Sequence, residues 1–188
     1  MPWPHNAGGT NPPACHKPRR HLVMVLQEAL MEKPTMTARL DYFKAAPAAM
    51  KAMLALETAS RQLAIPAALR QLVKMRVSQI NGCAYCLDMH APEAREAGVP
   101  QQKLDVLAAW RESPAFDARE RAALGWAEAL TRLEATGAPQ RDYDALAAQF
   151  GEAERVELTL VINTINAWNR FAGGFRSQHP ERTLGDGS

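Results

Sequence analysis

Apolar positions fall three and four apart over long stretches of this chain, the period of a helix face rather than of a strand. The clearest case is residues 66–98. Leu69, Leu72, Val73, Val77 and Ile80 recur at that spacing, with Arg76 in the same series. Asn81-Gly82 then gives a turn signal. A second helical pattern runs on to Gly98, a good stop before Pro100. The stretch predicts a helical hairpin whose second helix opens near Cys83.

The same period predicts helices on both sides. Upstream, Tyr42 and Phe43 precede Pro47, a residue suited to a first turn. Met50, Met53, Leu54 and Leu56 follow with an apolar face. Downstream, residues 100–110 fit a short helix carrying Leu104, Val106 and Leu107, broken at Ser113-Pro114. Asp117 and Glu120 have capping-box spacing. The helix they open places Ala123, Trp126, Ala127, Leu130 and Leu133 on one side and ends at Gly137 and Pro139. Tyr143, Leu146 and Phe150 mark a further short helix stopped by Gly151. The last and longest spans about residues 152–171, with Leu158, Val161, Ile162, Ile165 and Trp168 as its stripe. Asn163, Asn166 and Asn169 interleave with that stripe, and buried amides need partners. They are expected to serve packing or a subunit interface, with a place for Asn166 and Trp168 in a thiol pocket as the functional alternative. Gly173-Gly174 is expected to loosen the chain. The fold class is all-α.

Composition agrees and narrows the partners. Ala, Leu, Glu, Arg and Gln dominate after Met36, which favours helix. A net charge of +2 gives no electrostatic case for nucleic acid or a membrane surface. No apolar run approaches the ~20 residues that span a bilayer. Three Cys in 188 residues make no disulfide framework, so a cytoplasmic protein with reduced thiols is expected. Residues 1–35 stand apart. Their first half is rich in Pro, Gly, Asn and His and lacks an apolar period. Arg19-Arg20 before residues 21–26 faintly resembles a signal sequence, but no small-residue cleavage site follows. The expected organisation is a disordered or non-native extension over 1–35, a helical domain over 36–178 and a flexible tail over 179–188.

The candidate chemistry sits in the hairpin. Cys83, Cys86 and His90 are three and then four residues apart, so they share one helix face. Cys83 falls at the helix N-terminus, where free N–H groups and the helix dipole favour a thiolate, the reactive form. His90, one turn beyond Cys86, is placed to take or return a proton. A redox dithiol is the reading this favours. Two others stay open: a pair of small buried hydrophobes, and a zinc site with these three residues as ligands. Structural zinc wants a fourth ligand, and the remaining Cys, Cys15, lies in the N-terminal extension. Haem attachment needs His directly after the second Cys, where Leu87 stands. A thioredoxin-type motif should follow a strand, and the approach here is helical.

The segment RVSQINGCAYCLDMH, followed by EAREAGVP, resembles the core motif of the AhpD-like alkylhydroperoxidase branch of the carboxymuconolactone decarboxylase family. RERAALGWAEALT and LTLVINTINAWNRFAGGFR are similar to later parts of that family, and the resemblance covers about residues 36–178. It implies an AhpD-like helical bundle, a homo-oligomer, and a thiol peroxidase or disulfide reductase acting on a hydroperoxide with a thiol or dithiol reductant. It implies no metal or cofactor. It also implies roles: Cys86 meets the peroxide, Cys83 resolves it, and His90 serves a proton relay. The alternatives are a carboxymuconolactone decarboxylase-type lyase on a small lactone acid and a non-enzymatic redox-sensing oligomer. One position departs from the family pattern. Twelve residues before Cys83, where the family has Glu, this chain has Gln71. An amide can hydrogen-bond but cannot exchange a proton or hold a charge. The expectation is therefore weak peroxidase turnover and a gain on Gln71→Glu. Glu93 or Glu96 is a candidate substitute for the family's carboxylate, but exposed helix carboxylates are usually solvated surface, which is the reading favoured for both.

Overall fold

This computed structural model describes residues 36–181. The extension over 1–35, with Cys15, and the tail beyond 181 lie outside the described residues. Among the described residues every regular element is a helix: α1 (Tyr42–Ala45), α2 (Pro47–Arg61), α3 (Ala67–Ile80), α4 (Ala84–Glu96), α5 (Gln101–Val106), a 3-10 turn (Leu107–Ala109), α6 (Ala118–Thr131), α7 (Leu133–Thr136), α8 (Gln140–Ala147) and α9 (Glu152–Phe175). None is long and apolar enough to cross a membrane.

Helix α3 is the axis, packing against α4, α6 and α9. Its apolar residues feed two clusters. Val73 and Val77 join Ala123, Leu158, Ile162 and Ile165, all fully buried. Leu72 and Met75 join Leu107, Trp110, Phe116 and Leu124 on the other side. Each fully buried Leu, Ile or Val contributes roughly 1.5–3 kcal/mol relative to exposure. Two charged groups of α3 that go inside, Lys74 and Arg76, are paired. Arg76 bonds Glu128 of α6 (Nε–Oε1 2.7 Å), and Trp110 Nε1 donates to the same carboxylate oxygen at 2.9 Å.

The helix ends follow their local chemistry. Pro47 sits in the first turn of α2. Asp117 and Glu120 form the reciprocal capping box: Glu120 N donates to Asp117 Oδ1 at 2.8 Å, and Asp117 N to Glu120 Oε2 at 3.0 Å. Two boundaries differ from the sequence expectation. The α6 stripe stops at Thr131, because Arg132 leaves helical geometry (φ −110°, ψ 40°), and Leu133 lies exposed in the separate turn α7. At the other end, α9 runs through Gly173-Gly174 to Phe175. The glycines do not end it because the N-terminal segment packs there. Arg39 N donates to Phe175 O at 2.9 Å, Arg39 Nη1 to Gly174 O at 3.0 Å, and the Tyr42 ring contacts Phe171 and Phe175.

Candidate functional site

The hairpin turn fixes where the dithiol lies. Gly82 has φ +64°, a left-handed conformation that glycine adopts without a Cβ penalty. The chain then reverses, and Cys83 N donates to Ser78 O at 3.0 Å. Asn81 holds the turn to α9. Its Nδ2 donates to Asn166 Oδ1 at 2.9 Å and Asn169 Oδ1 at 2.8 Å. Asn169 Nδ2 returns a bond to Ser78 Oγ at 3.1 Å, and Asn166 Nδ2 donates to Thr131 Oγ1 at 3.1 Å. Two of the interleaved asparagines thus satisfy each other's neighbours inside the molecule, while Asn163 is exposed.

Cys83 is the N-cap of α4, and its sulfur accepts the Cys86 N–H at 3.3 Å. Both cysteines are buried, and their sulfurs lie within bonding distance as a disulfide with Cα atoms 5.4 Å apart. Among the described residues no group of three or more His, Cys, Asp or Glu is disposed to hold a metal.

Cys86 and His90 open onto one cavity of about 190 Å³ between α1, α2, α4 and α9. Tyr42, Phe43, Leu54, Met89 and Trp168 give it an apolar wall, and Glu57 and Arg61 supply charge. Cys83 is not among its lining residues, although both cysteines are buried to a similar degree. Trp168 both packs against the core and lines this cavity, the place the functional alternative gave it. Asn166 is not part of this wall, being committed to the turn.

Glu93 corrects the reading of that carboxylate as solvated surface. Its Oε2 accepts from His90 Nδ1 at 2.8 Å and from Gln71 Nε2 at 3.1 Å, and Arg61 Nη2 lies 3.7 Å from Oε1. The His90 hydrogen bond, foremost, holds the Glu93 carboxyl at about 2, against the upward push of burial and with help from Gln71 and Arg61. Glu93 is thus an anion at neutral pH. With Nδ1–H donating to it, the imidazole is left with Nε2 as its acceptor nitrogen. A carboxylate does stand beside His90, three residues along the same helix and not on α3. Gln71 orients it. The i,i+3 spacing of His90 and Glu93 was the available signal.

A second pair was not foreseen. Lys74 of α3 is 1% exposed and bonds Glu57 Oε1 at 2.6 Å, an oxygen that also accepts from Arg61 Nε at 3.0 Å. Burial pushes the Glu57 carboxyl up, but Lys74 and Arg61 outweigh it and hold it below its ordinary range.

An all-helical protein with this dithiol hairpin at its centre is of a known class, and residues 47–129 match the carboxymuconolactone decarboxylase family. The uncharacterized protein YdfG of Bacillus subtilis (strain 168) is 39% identical over 137 residues, 73% of this chain and 93% of that one. A crystal structure from Agrobacterium tumefaciens, of a protein of unknown function provisionally assigned to antioxidant defence as AhpD, is 44% identical. It superposes with a TM-score of 0.76 over 78% of this chain and 100% of that one. The debrominase Bmp8, at 24% identity and TM-score 0.67 over 73% of this chain and 74% of its own, shares the fold. The chain belongs to the carboxymuconolactone decarboxylase family, in its AhpD-like branch.

Proposed function

We propose that this protein is a thiol-dependent, alkylhydroperoxidase-like oxidoreductase in which Cys86, Cys83 and His90 carry the reaction. The observation that carries this reading is the asymmetry of the dithiol: Cys86 lines an apolar cavity together with His90, and Cys83 does not. In the reduced protein His90 Nε2 takes the Cys86 thiol proton, and the resulting thiolate attacks the terminal oxygen of a hydroperoxide. The S–O bond forms and the O–O bond breaks, and the departing alkoxide takes a proton from His90. The Cys83 sulfur then attacks the Cys86 sulfenic acid, forming the disulfide and releasing water. An external thiol or dithiol exchanges with the disulfide and restores both thiols. The Cys86 N–H that bonds the Cys83 sulfur stabilises that sulfur as the leaving thiolate when a reductant attacks Cys86.

The role of Glu93 follows from its bonds. It fixes the imidazole tautomer and its position, and Gln71 fixes Glu93. The homo-oligomer and the cytoplasmic setting belong to the same proposal. They are supported by exposed apolar residues around the cavity, among them Phe43, Leu54 and Met89, and by thiol chemistry that needs a reducing compartment.

The test is hydroperoxide turnover with a saturating dithiol, followed by mass spectrometry of the protein. Wild type should cycle between two thiols and a Cys83–Cys86 disulfide. Cys86→Ser should lose turnover, and Cys83→Ser should stall at a Cys86 sulfenic acid after one event. His90→Ala should slow turnover by ~10²–10⁴-fold, the range for a positioned acid–base group. A wild-type protein whose thiols survive peroxide in the folded state would refute the assignment.

A further inference from the structure

Glu57 lines the cavity together with Arg61 and His90, and half of its carboxylate is unused. Oε1 takes both Lys74 and Arg61. Oε2 is buried and has no hydrogen-bond partner. Leaving such an acceptor unmet in the interior is costly, and more so for a charged group. The ion pair does not account for it as a stabilising device, because well-packed hydrophobes in place of a buried Glu–Lys pair are often as stable or more so. Lys74 does have one clear consequence. With Arg61, it holds the Glu57 carboxyl below its ordinary range where burial alone would raise it. The cavity shared with Cys86 and His90 supplies room for a partner, and its Tyr42, Phe43, Leu54 and Trp168 wall suits an apolar body.

We infer that Glu57 Oε2 is the acceptor for the O–H of an apolar hydroperoxide, holding its terminal oxygen for attack by the Cys86 sulfur. This rests on the oxidoreductase reading. The O–H hydrogen stays on the terminal oxygen as it passes to sulfur, so the same contact persists in the sulfenic acid. The alkoxide oxygen, which carries the apolar body, leaves with the proton from His90. The site therefore recognises ligands by two features together, an apolar body and a hydrogen-bond donor at its end.

The experiment uses two probes with the same apolar body, 2-phenyl-2-propanol, which carries the O–H donor, and its methyl ether, in which a methyl replaces that hydrogen. Their dissociation constants are measured by calorimetry on the oxidised full-length protein. A second series follows KM and kcat for cumene hydroperoxide. Wild type should bind the alcohol roughly 10-fold more tightly than the ether, the ratio expected for one hydrogen bond to a charged group. Glu57→Gln should erase that preference and raise KM for the hydroperoxide. Because Glu57→Gln leaves the Lys74 ammonium buried, Glu57→Gln with Lys74→Met is measured beside it and should behave alike. Equal binding of alcohol and ether to wild type, or a preference that survives in both variants, overturns the inference. Alcohol preference lost on substitution, in a wild-type protein that reduces no hydroperoxide, upholds the Glu57 contact and overturns the oxidoreductase reading instead.

Discussion

At the scale of single residues, the site turns on which side chain holds the negative charge beside His90. Glu93 holds it, and Gln71 is its donor. The gain expected from Gln71→Glu on sequence grounds is therefore reversed. The new carboxylate would replace a donated hydrogen bond 3.1 Å from Glu93 with like-charge repulsion. Gln71→Glu should lower hydroperoxide turnover at neutral pH, and partial recovery at lower pH, as the pair takes up one proton, would mark repulsion as the cause. Glu93 also has a stability signature. Its folded value of about 2 lies below the ordinary 4.5. A depressed carboxyl stabilises the fold fully above its unfolded value, and that contribution is lost as pH falls through the folded one. The difference in urea midpoint between wild type and Glu93→Gln should be constant above about pH 5 and shrink steadily below it. A difference that grows on acidification would contradict the assigned partners.

At the scale of elements, the hairpin turn depends on α9 as much as on its own sequence. Asn81-Gly82 is a turn on any reading, but its orientation is set by Asn166 and Asn169 across the molecule. Asn81→Ala leaves Asn169 Oδ1, in a buried residue, without this donor. That should cost about 1–3 kcal/mol in chemical denaturation. Gly82→Ala meets nothing within 4 Å of the added Cβ, so its cost is the left-handed backbone alone, ~1 kcal/mol. The two substitutions separate tertiary tethering from local conformation. If Asn81→Ala were as mild as an ordinary surface change, the tether would carry no weight.

At the scale of the whole molecule, the apolar wall of the cavity continues outward. Phe43, Leu54 and Met89 line the cavity and are also exposed, at 45%, 49% and 38%. Apolar surface gathered at one place usually marks a site of association. The proposed homo-oligomer gives that surface a partner, and light scattering at micromolar concentration should return a mass above 20.7 kDa. A monomer under those conditions would remove association from the account and leave the dithiol chemistry standing.

The helices and the dithiol face were legible because they rest on local spacing. Period 3.6 placed α3, α4, α6 and α9, and Cys86 and His90 fall on one side of α4 by counting alone, with Cys83 as its N-cap. Capping at Asp117 and the turn at Gly82 are likewise written within a few residues. What the sequence could not decide was the company each polar residue keeps. The i,i+3 spacing marks Glu93 beside His90, yet only packing against α3 brings Gln71 to Glu93. Lys74 interrupts an apolar stripe, and nothing nearby in sequence tells that Glu57, seventeen residues earlier, meets it inside. The continuation of α9 through two glycines depended on Arg39 and Tyr42, more than a hundred residues away. Local periodicity follows from backbone geometry, which each short segment carries with it. Pairing across the core depends on which helices face one another, and that is settled only when the chain has packed.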